Sequence, residues 1–295
     1  MNLVFKNQHQ QLEGALSKVL GINASVKAVR HLSGGCINNA VLVTTDQGPF
    51  FVKWNHKEKH DMFLAESKGL VLLKDYSRFT IPEVLGCEIV QEESYLVLEF
   101  IENGPANQRY WEAMGVNLAA LHGHHHDLFG LTYHNYIGSL HQDNTRKDQW
   151  IDFFIENRLE VPLRLALQRG VISREYADGF RSMYSRFKDL FPREKPSLLH
   201  GDLWSGNVMT ASNGDPCLID PATYYGHREM EIAFTRLFGG FDQVFYDSYQ
   251  EAYPMENGFD HRQDVYNLYP LLVHLNLFGS SYLNSIDRIV RRFTD

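Results

Sequence analysis

The sequence predicts an α+β fold with two lobes, an antiparallel β-sheet in the first lobe and mainly helices in the second. Apolar residues alternate along short runs in the first hundred residues, as expected for strands, and one long helical pattern covers residues 60–76. A cluster of breakers, Glu-Asn-Gly-Pro at residues 102–105, follows, and the apolar spacing beyond it is mostly helical. We therefore expect a first lobe at residues 1–101 and a second lobe at residues 102–295.

Composition restricts the possible partners. The chain has 295 residues, of which 44% are hydrophobic, so it can bury a sizeable core. Its formal net charge is −8 and no basic block stands out, which disfavours nucleic acid and anionic membranes as partners. No apolar run approaches the roughly 20 residues of a membrane span, and the first residues lack a signal-like core. We expect a cytoplasmic protein that binds no membrane, a monomer or weak dimer, with Cys36, Cys87 and Cys217 reduced.

The first lobe is predicted to contain two helices and five strands. The first helix covers residues 5–20 and the second residues 60–76, and the strands lie at 25–32, 38–45, 50–54, 84–90 and 94–101. Gly34 and Gly35 lie between the first two strands, where the backbone can approach phosphate oxygens without a side chain in the way. An ordinary hairpin turn explains the same two glycines and is the simpler interpretation of this motif alone.

The stretch from residue 197 to residue 222 contains the residues best suited to phosphoryl transfer. Asp202 and Asn207 share one short turn, HGDLWSGN, and Asp220 ends the apolar strand CLID after the turn signal at residues 213–216. A hairpin there would bring Asp220 back beside the turn. Phosphoryl transfer needs a carboxylate near the acceptor hydroxyl and oxygen ligands for magnesium. Asp202 suits the first role, and Asn207 and Asp220 suit the second.

Lys53 and Glu66 form a second candidate pair. Lys53 has apolar neighbours along its strand and can reach the α- and β-phosphates of a nucleotide, whereas Glu66 lies in the middle of the helix that follows. Each residue alone is more simply interpreted as a solvated side chain. The order of glycine turn, strand lysine, helix glutamate and catalytic turn favours the functional interpretation for both.

These motifs resemble those of a known enzyme family. The pattern HGD…N…ID is similar to the catalytic loop and magnesium aspartate of kinases, in the form seen in small-molecule kinases of the aminoglycoside phosphotransferase type. LLHGDLWSGN, IDPATYYGHREME and GGCINNA together resemble the fructosamine kinase (ketosamine kinase) family over nearly the whole chain. The resemblance implies a protein-kinase-like fold with ATP and Mg²⁺ in the cleft between the lobes.

The resemblance also implies a reaction. A phosphoryl group would pass to the 3-hydroxyl of a fructosamine or ribulosamine, carried by a small molecule or a glycated amine or protein, and breakdown of the product would reverse glycation. The hinge backbone at Glu99, Phe100 and Ile101 would bind adenine. Two alternatives stay open, a kinase for an aminoglycoside, choline or homoserine, and an inactive kinase-like binding module. A protein kinase is disfavoured because no Ala-Pro-Glu signature follows Asp220.

Acceptor-binding residues are harder to identify. Asn135 opens an Asn-aromatic-Ile-Gly segment that the family also carries, followed by Gln142 and Asn144, and a structural loop explains these residues equally well. Further candidates for contact with the acceptor are Trp204, His227 and Arg228. A structural role for Arg228, bonded to Asp220 or to a backbone carbonyl, is at least as well supported.

The second lobe has a histidine cluster and several predicted helices. His122 and His124 to His126 follow a helix at residues 111–121, and we interpret them as a solvated helix end because their spacing is no standard zinc pattern. The remaining predicted helices lie at 150–167, bent near Pro162, and at 173–191, 241–253, 262–278 and 285–293.

Overall fold

A computed structural model describes residues 2–21, 23–32 and 38–294, with side chains described over residues 9–21, 23–32 and 38–293. Two compact units make up the chain: Met1–Tyr110 with Gly206–Pro221, and Trp111–Ser205 with Ala222–Asp295. The lobe boundary that the sequence predicts after residue 101 stays a prediction. Within the described residues, no helix has both the length and the apolar character needed to cross a membrane.

The first unit contains a five-stranded sheet in which every neighbouring pair of strands is antiparallel, as the sequence predicts. The strand order is β1-β2-β3-β5-β4. The described part of this unit has two α-helices, and their bounds are close to the predicted ones. The elements are α1 (Asn2–Leu20), β1 (Val26–His31), β2 (Asn39–Thr45), β3 (Gly48–His56), α2 (His60–Tyr76), β4 (Val84–Val90) and β5 (Glu93–Glu99).

Alternation along the strands assigns the two faces of this sheet. One face packs on α1 and forms an apolar cluster that includes Leu12, Leu16, Val41, Val43, Val52 and Val97. Residues that alternate with these point to the other face, which Phe63, Leu70 and Leu73 of α2 help to bury. Lys53 follows Val52 and therefore lies on the α2 side of the sheet.

A small hairpin completes the first unit. Strands β9 (Val208–Thr210) and β10 (Pro216–Leu218) pair antiparallel, with Val208 opposite Leu218. Gly214 takes a φ of 85° in the connecting turn. The hairpin predicted from the turn signal at residues 213–216 is therefore confirmed.

The second unit is mainly helical, with two further two-stranded sheets, β6–β7 and β8–β11, in which the strands are also antiparallel. Its strands are β6 (Asn135–Ile137), β7 (Leu140–Gln142), β8 (Ser197–Leu199) and β11 (Tyr224–Gly226). Its helices are α3 (Tyr110–His122), α4 (Trp150–Phe153), α5 (Glu160–Gln168), α6 (Arg174–Ser182), α7 (Phe187–Leu190), α8 (Arg228–Leu237), α9 (Gln243–Ala252), α10 (Phe259–Tyr266), α11 (Leu268–Phe278) and α12 (Leu283–Thr294).

Three predicted helices are interrupted. The one at residues 150–167 contains a π-helical segment, Phe154–Leu159, between α4 and α5. Pro162 lacks an N–H for the carbonyl of Arg158, which accounts for the irregular turn there. Likewise, Pro270 cannot donate to the carbonyl of Tyr266, and the helix predicted at 262–278 is split into α10 and α11. The helix predicted at 173–191 is α6 and α7, joined by a 3₁₀ turn, and Ser173 caps it by accepting from the Tyr176 N–H.

Candidate active site

Lys53 lies between two carboxylates in the first unit. Its Nζ is 2.7 Å from Oε1 of Glu66 and 2.6 Å from Oδ1 of Asp220. Burial by itself would lower the pKa of Lys53, but the charges of Asp220 and Glu66 outweigh it and raise the pKa. The lysine is therefore a fixed positive charge, 5% exposed, and the predicted Lys53–Glu66 pair is present.

The positions of these three residues follow from the elements that carry them. Lys53 is paired in the sheet with Ala40 on one side and Leu96 on the other, so neighbouring strands hold its backbone on both sides. Glu66 lies on the α2 turn that faces it. Asp220 comes two residues after β10 and has a φ of 55°, a left-handed conformation that is uncommon for a residue with a side chain. Such strained backbone is concentrated at functional sites because the surrounding structure has to hold it.

Asn207 and Asp220 flank the open end of the β9–β10 hairpin. The Ile219 N–H donates to the Asn207 carbonyl over 3.1 Å, which joins the residues before and after the two strands. An amide oxygen and a carboxylate are hard ligands that suit Mg²⁺. Among the described residues, no group of three or more His, Cys, Asp or Glu side chains could hold a metal ion. Asn207 and Asp220 would fit a magnesium ion that took its remaining ligands from phosphate oxygens and water.

The predicted catalytic turn, residues 200–202, lies in the second unit directly after β8. Gly201 has a φ of 84°, and a Cβ on it would lie 2.0 Å from the Ala222 carbonyl oxygen, so only glycine fits. The Ala222 N–H donates to the His200 carbonyl over 2.9 Å. The buried His200 accepts the Asp202 N–H at its own Nδ1, 3.3 Å away. Asp202 is thus carried on a turn whose backbone conformation is closely determined.

Glu231 anchors this turn from α8. Its carboxylate accepts the N–H groups of His200 and Gly201, over 3.0 and 2.7 Å. The carboxylate is also 3.0 Å from Nε2 of His122. Burial would raise the pKa of Glu231, but the contacts with His122 and the backbone N–H of Gly201 lower it. An ionised Glu231 therefore holds two backbone amides next to Asp202.

His122 was wrongly expected to lie at a solvated helix end. It is fully buried, with Nδ1 2.7 Å from the Tyr249 hydroxyl. Burial lowers its pKa, so the imidazole is neutral, and Nε2–H donates to Glu231 while Nδ1 accepts from Tyr249. Nothing in the spacing of the histidines distinguished His122 from the exposed His124 and His125. One signal was available, because His122 comes four residues after the apolar Leu118 and therefore lies on the same side of a continued helix.

The hinge segment and the glycine turn were both assigned to the nucleotide. Glu99 is the last residue of β5, and its N–H donates to the Glu83 carbonyl over 2.9 Å. Phe100 and Ile101 follow outside the strand, and binding of adenine by these residues stays a prediction. Gly34 and Gly35, with Cys36, lie outside the described residues.

The four acceptor candidates differ in exposure. Trp204 is 37% exposed beside the catalytic turn, so its ring is available to a ligand. Asn135 is buried and donates to the Thr223 carbonyl. This contact is expected if its loop has a structural role. His227 is buried against Trp150, with ring centroids 4.4 Å apart. Arg228 is buried and donates to Glu194 and to two backbone carbonyls, at Tyr253 and Pro254.

These elements define a class of protein. A β-sheet lysine paired with a helix glutamate, a hairpin aspartate and a separate helical unit with an HGD turn are the parts of the kinase-like fold. The chain superposes with a TM-score of 0.65 on the crystal structure of the aminoglycoside phosphotransferase APH(4)-Ia in ternary complex with AMP-PNP and hygromycin B. At 18% identity, with 95% of this chain and 98% of that chain covered, the likeness shows the fold.

Closer comparisons identify the family. Residues 8–295 match the model of the fructosamine kinase family, so this chain belongs to that family. A protein of Synechocystis sp. named a probable ketoamine kinase is 37% identical over 284 residues, which cover 96% of each chain. The crystal structure of a Haemophilus somnus protein assigned as a fructosamine-3-kinase superposes with a TM-score of 0.89 at 29% identity, covering both chains completely. The predicted kinase-like fold and the predicted family are confirmed.

Proposed function

We propose that this protein transfers the γ-phosphoryl group of ATP to the 3-hydroxyl of a ketosamine of the fructosamine or ribulosamine type. The observation that carries the proposal is Lys53, a buried cation held between Glu66 and Asp220. A cation in that setting offers a fixed charge to phosphate oxygens. The names of its relatives, ketoamine kinase and fructosamine-3-kinase, support the acceptor.

Each residue has a defined part in this reaction. The acceptor oxygen bonds to the γ-phosphorus as the bond from that phosphorus to the β,γ-bridging oxygen breaks, and ADP leaves. Asp202 orients the hydroxyl and takes its proton late in the transfer. Lys53 binds the α- and β-phosphates, and Glu66 keeps Lys53 in place. Asn207 and Asp220 would hold Mg²⁺, which would supply positive charge against the phosphates.

Trp204 is the residue that we assign to contact with the acceptor. Trp204, exposed beside Asp202, offers an apolar face on which a sugar ring or its amine carrier can stack. The buried positions of Asn135, His227 and Arg228 favour support of the fold over direct contact with the acceptor. Loss of the 3-phosphorylated adduct from the amine would make the reaction a deglycation. We place the protein in the cytoplasm, as a monomer or weak dimer that acts on small ketosamines or glycated proteins.

Mass spectrometry of the acceptor tests this function. A ketosamine incubated with the protein, ATP and Mg²⁺ should gain one phosphate, and replacing Mg²⁺ with chelator should abolish the gain. Parallel incubations with an aminoglycoside, choline and homoserine show whether the acceptor class is right. Phosphate on one of these and none on the ketosamine would keep the chemistry and overturn the acceptor. ATP binding without phosphate on any acceptor would favour an inactive binding module.

A further inference from the structure

A fully buried arginine, Arg158, lies in the second unit with no assigned role. Its guanidinium carbon is 3.9 Å from the centre of the Tyr224 ring, and its hydrogen bonds go to neutral acceptors. These acceptors are the Asp143 carbonyl at 2.6 Å, Oδ1 of Asn144 at 2.7 Å and the Asn157 carbonyl at 3.5 Å. Burying a charge this completely costs free energy, which hydrogen bonds to the guanidinium offset only in part when no carboxylate pairs with it.

Arg158 determines the orientation of the side-chain amides of Asn144 and Asn135. A guanidinium can only donate, so Asn144 accepts with its oxygen and has its amide nitrogen left to donate. That nitrogen donates to Oδ1 of Asn135 over 2.8 Å, so the amide nitrogen of Asn135 points away from Asn144. The Asn135 nitrogen donates to the Thr223 carbonyl over 2.9 Å. A directed series of donors therefore runs from the charge to the backbone.

Gln142 forms a second branch. Burial raises the pKa of Tyr269, which keeps its hydroxyl a donor, and this hydroxyl lies 2.6 Å from Oε1 of Gln142. The Gln142 nitrogen donates to the Ala222 carbonyl over 3.0 Å and to Oδ1 of Asn135 over 2.8 Å. Both branches end on neighbouring carbonyls, those of Ala222 and Thr223.

Ala222 is where these bonds meet the catalytic turn. Its N–H donates to the His200 carbonyl, and its own carbonyl lies where a Cβ on Gly201 would be. Since the Ala222 N–H is bonded to His200 and Asp202 follows Gly201 directly, we expect a shift of Ala222 to be transmitted to the turn that carries Asp202. Ala222 also lies only two residues after Asp220 in the chain.

We propose that Arg158, Asn144, Asn135 and Gln142 form a positioning relay that sets the Ala222 carbonyl and, through it, the orientation of Asp202. None of the four touches the reacting atoms in the proposed reaction. The relay gives a function to the segment from Asn135 to Asn144, which the sequence singled out and the reaction itself does not use. The proposal rests on the proposed function for its kinetic consequence and on the hydrogen bonds alone for its structural one.

The test compares two identical substitutions at buried asparagines. Asn135→Leu removes the relay, whereas Asn276→Leu removes an amide that donates to the carbonyls of Pro162 and Leu272, neither of them in the catalytic turn. Gln142→Met, close to the native side chain in volume, is a milder second relay variant. We expect kcat to fall by about tenfold to a hundredfold in both relay variants, with KM for ATP unchanged and kcat of Asn276→Leu within about twofold of wild type.

Amide hydrogen exchange gives a readout that is independent of the acceptor. The Ala222 N–H should exchange about tenfold faster in the relay variants and at the wild-type rate in Asn276→Leu. Unchanged exchange at Ala222, or an equal loss of kcat in Asn276→Leu, would overturn the relay. If the wild-type protein transfers no phosphate to a ketosamine, the proposed function fails, and the exchange rates still decide whether the relay holds the turn.

Discussion

At the scale of single residues, Lys53 shows what the sequence could and could not reveal. Its pairing with Glu66 was predictable because the order of motifs along the chain indicated it. The additional bond to Asp220 was not, since Asp220 is 167 residues away and had been assigned to the metal alone. In this structure Lys53 holds Asp220, the carboxylate that we propose as a magnesium ligand, so the lysine and the proposed metal would lie in one binding region.

Replacing Lys53 by methionine should weaken ATP binding by about a hundredfold, because the substitution removes a buried cation and leaves Glu66 and Asp220 facing each other. Lys57→Met is a matched control, since Lys57 pairs with Glu92 at the surface. Isothermal titration with Mg·ATP measures both variants. Equal affinities for ATP in the two variants would contradict the role given to Lys53.

At the scale of secondary-structure elements, the site depends on turns whose conformation is fixed by contacts with residues distant in sequence. The strands and helices supply the side chains that make these contacts. The strands and the helix α2 were predictable from periodicity, because each buries one face. The anchoring of residues 200–202 by Glu231 and His122 was not, because it depends on contacts between residues 30 or more apart in sequence. Local patterns carry no information about such partners.

Gly201→Ala and Gly170→Ala separate backbone strain from steric overlap. Both glycines have positive φ, 84° and 68°, but a Cβ at Gly170 meets nothing within 4 Å. We expect Gly170→Ala to lower the free energy of unfolding by about 1–2 kcal/mol and to leave kcat unchanged. Gly201→Ala must in addition push the Ala222 carbonyl away, so kcat should fall at least about a hundredfold.

Steady-state kinetics and denaturant unfolding of the two glycine variants provide the comparison. Normal turnover in Gly201→Ala would show that the tight approach of Ala222 to Gly201 is not needed for catalysis. A large loss of kcat in Gly170→Ala would show that the strain itself, wherever it occurs, disturbs the enzyme.

At the scale of the whole molecule, the start of α8 buries an unusual number of ionisable groups. Arg228 pairs with Glu194, Glu229 with Arg262, and Glu231 with His122, all with little or no exposure. His227, just before them, is held neutral because burial, together with Arg262 and Arg228, keeps its pKa well below 6.5. Acidic residues such as those in HREME are typical of a helix start, and only the fold shows that these charges are internal.

This burial predicts acid sensitivity. Below pH 6.5 an unfolded His227 binds a proton that the folded protein cannot, so stability is present above that pH and is lost as the pH falls. Each such histidine contributes up to about 1.4 kcal/mol per pH unit. In His227→Phe, which keeps a ring against Trp150, the decline in unfolding free energy between pH 6.5 and 5.5 should be smaller by about 1 kcal/mol.

Denaturant unfolding across pH 5–8 measures this slope in wild type and variant. His261→Phe, at an exposed position on α10, should have the wild-type slope. If His227→Phe has that slope too, the buried imidazole does not account for the acid sensitivity. The raised pKa of Glu194 does not affect the comparison, because that group is present in all three proteins.

The proposed mechanism requires Asp202 to take part in the chemical step and not in nucleotide binding. Single-turnover transfer of the γ-phosphoryl group to a ketosamine, measured with Asp202→Asn alongside its affinity for Mg·ATP, tests this most directly. We predict transfer slowed by about a thousandfold at unchanged ATP affinity. Transfer at the wild-type rate, or a rate lost together with ATP binding, would contradict the central claim.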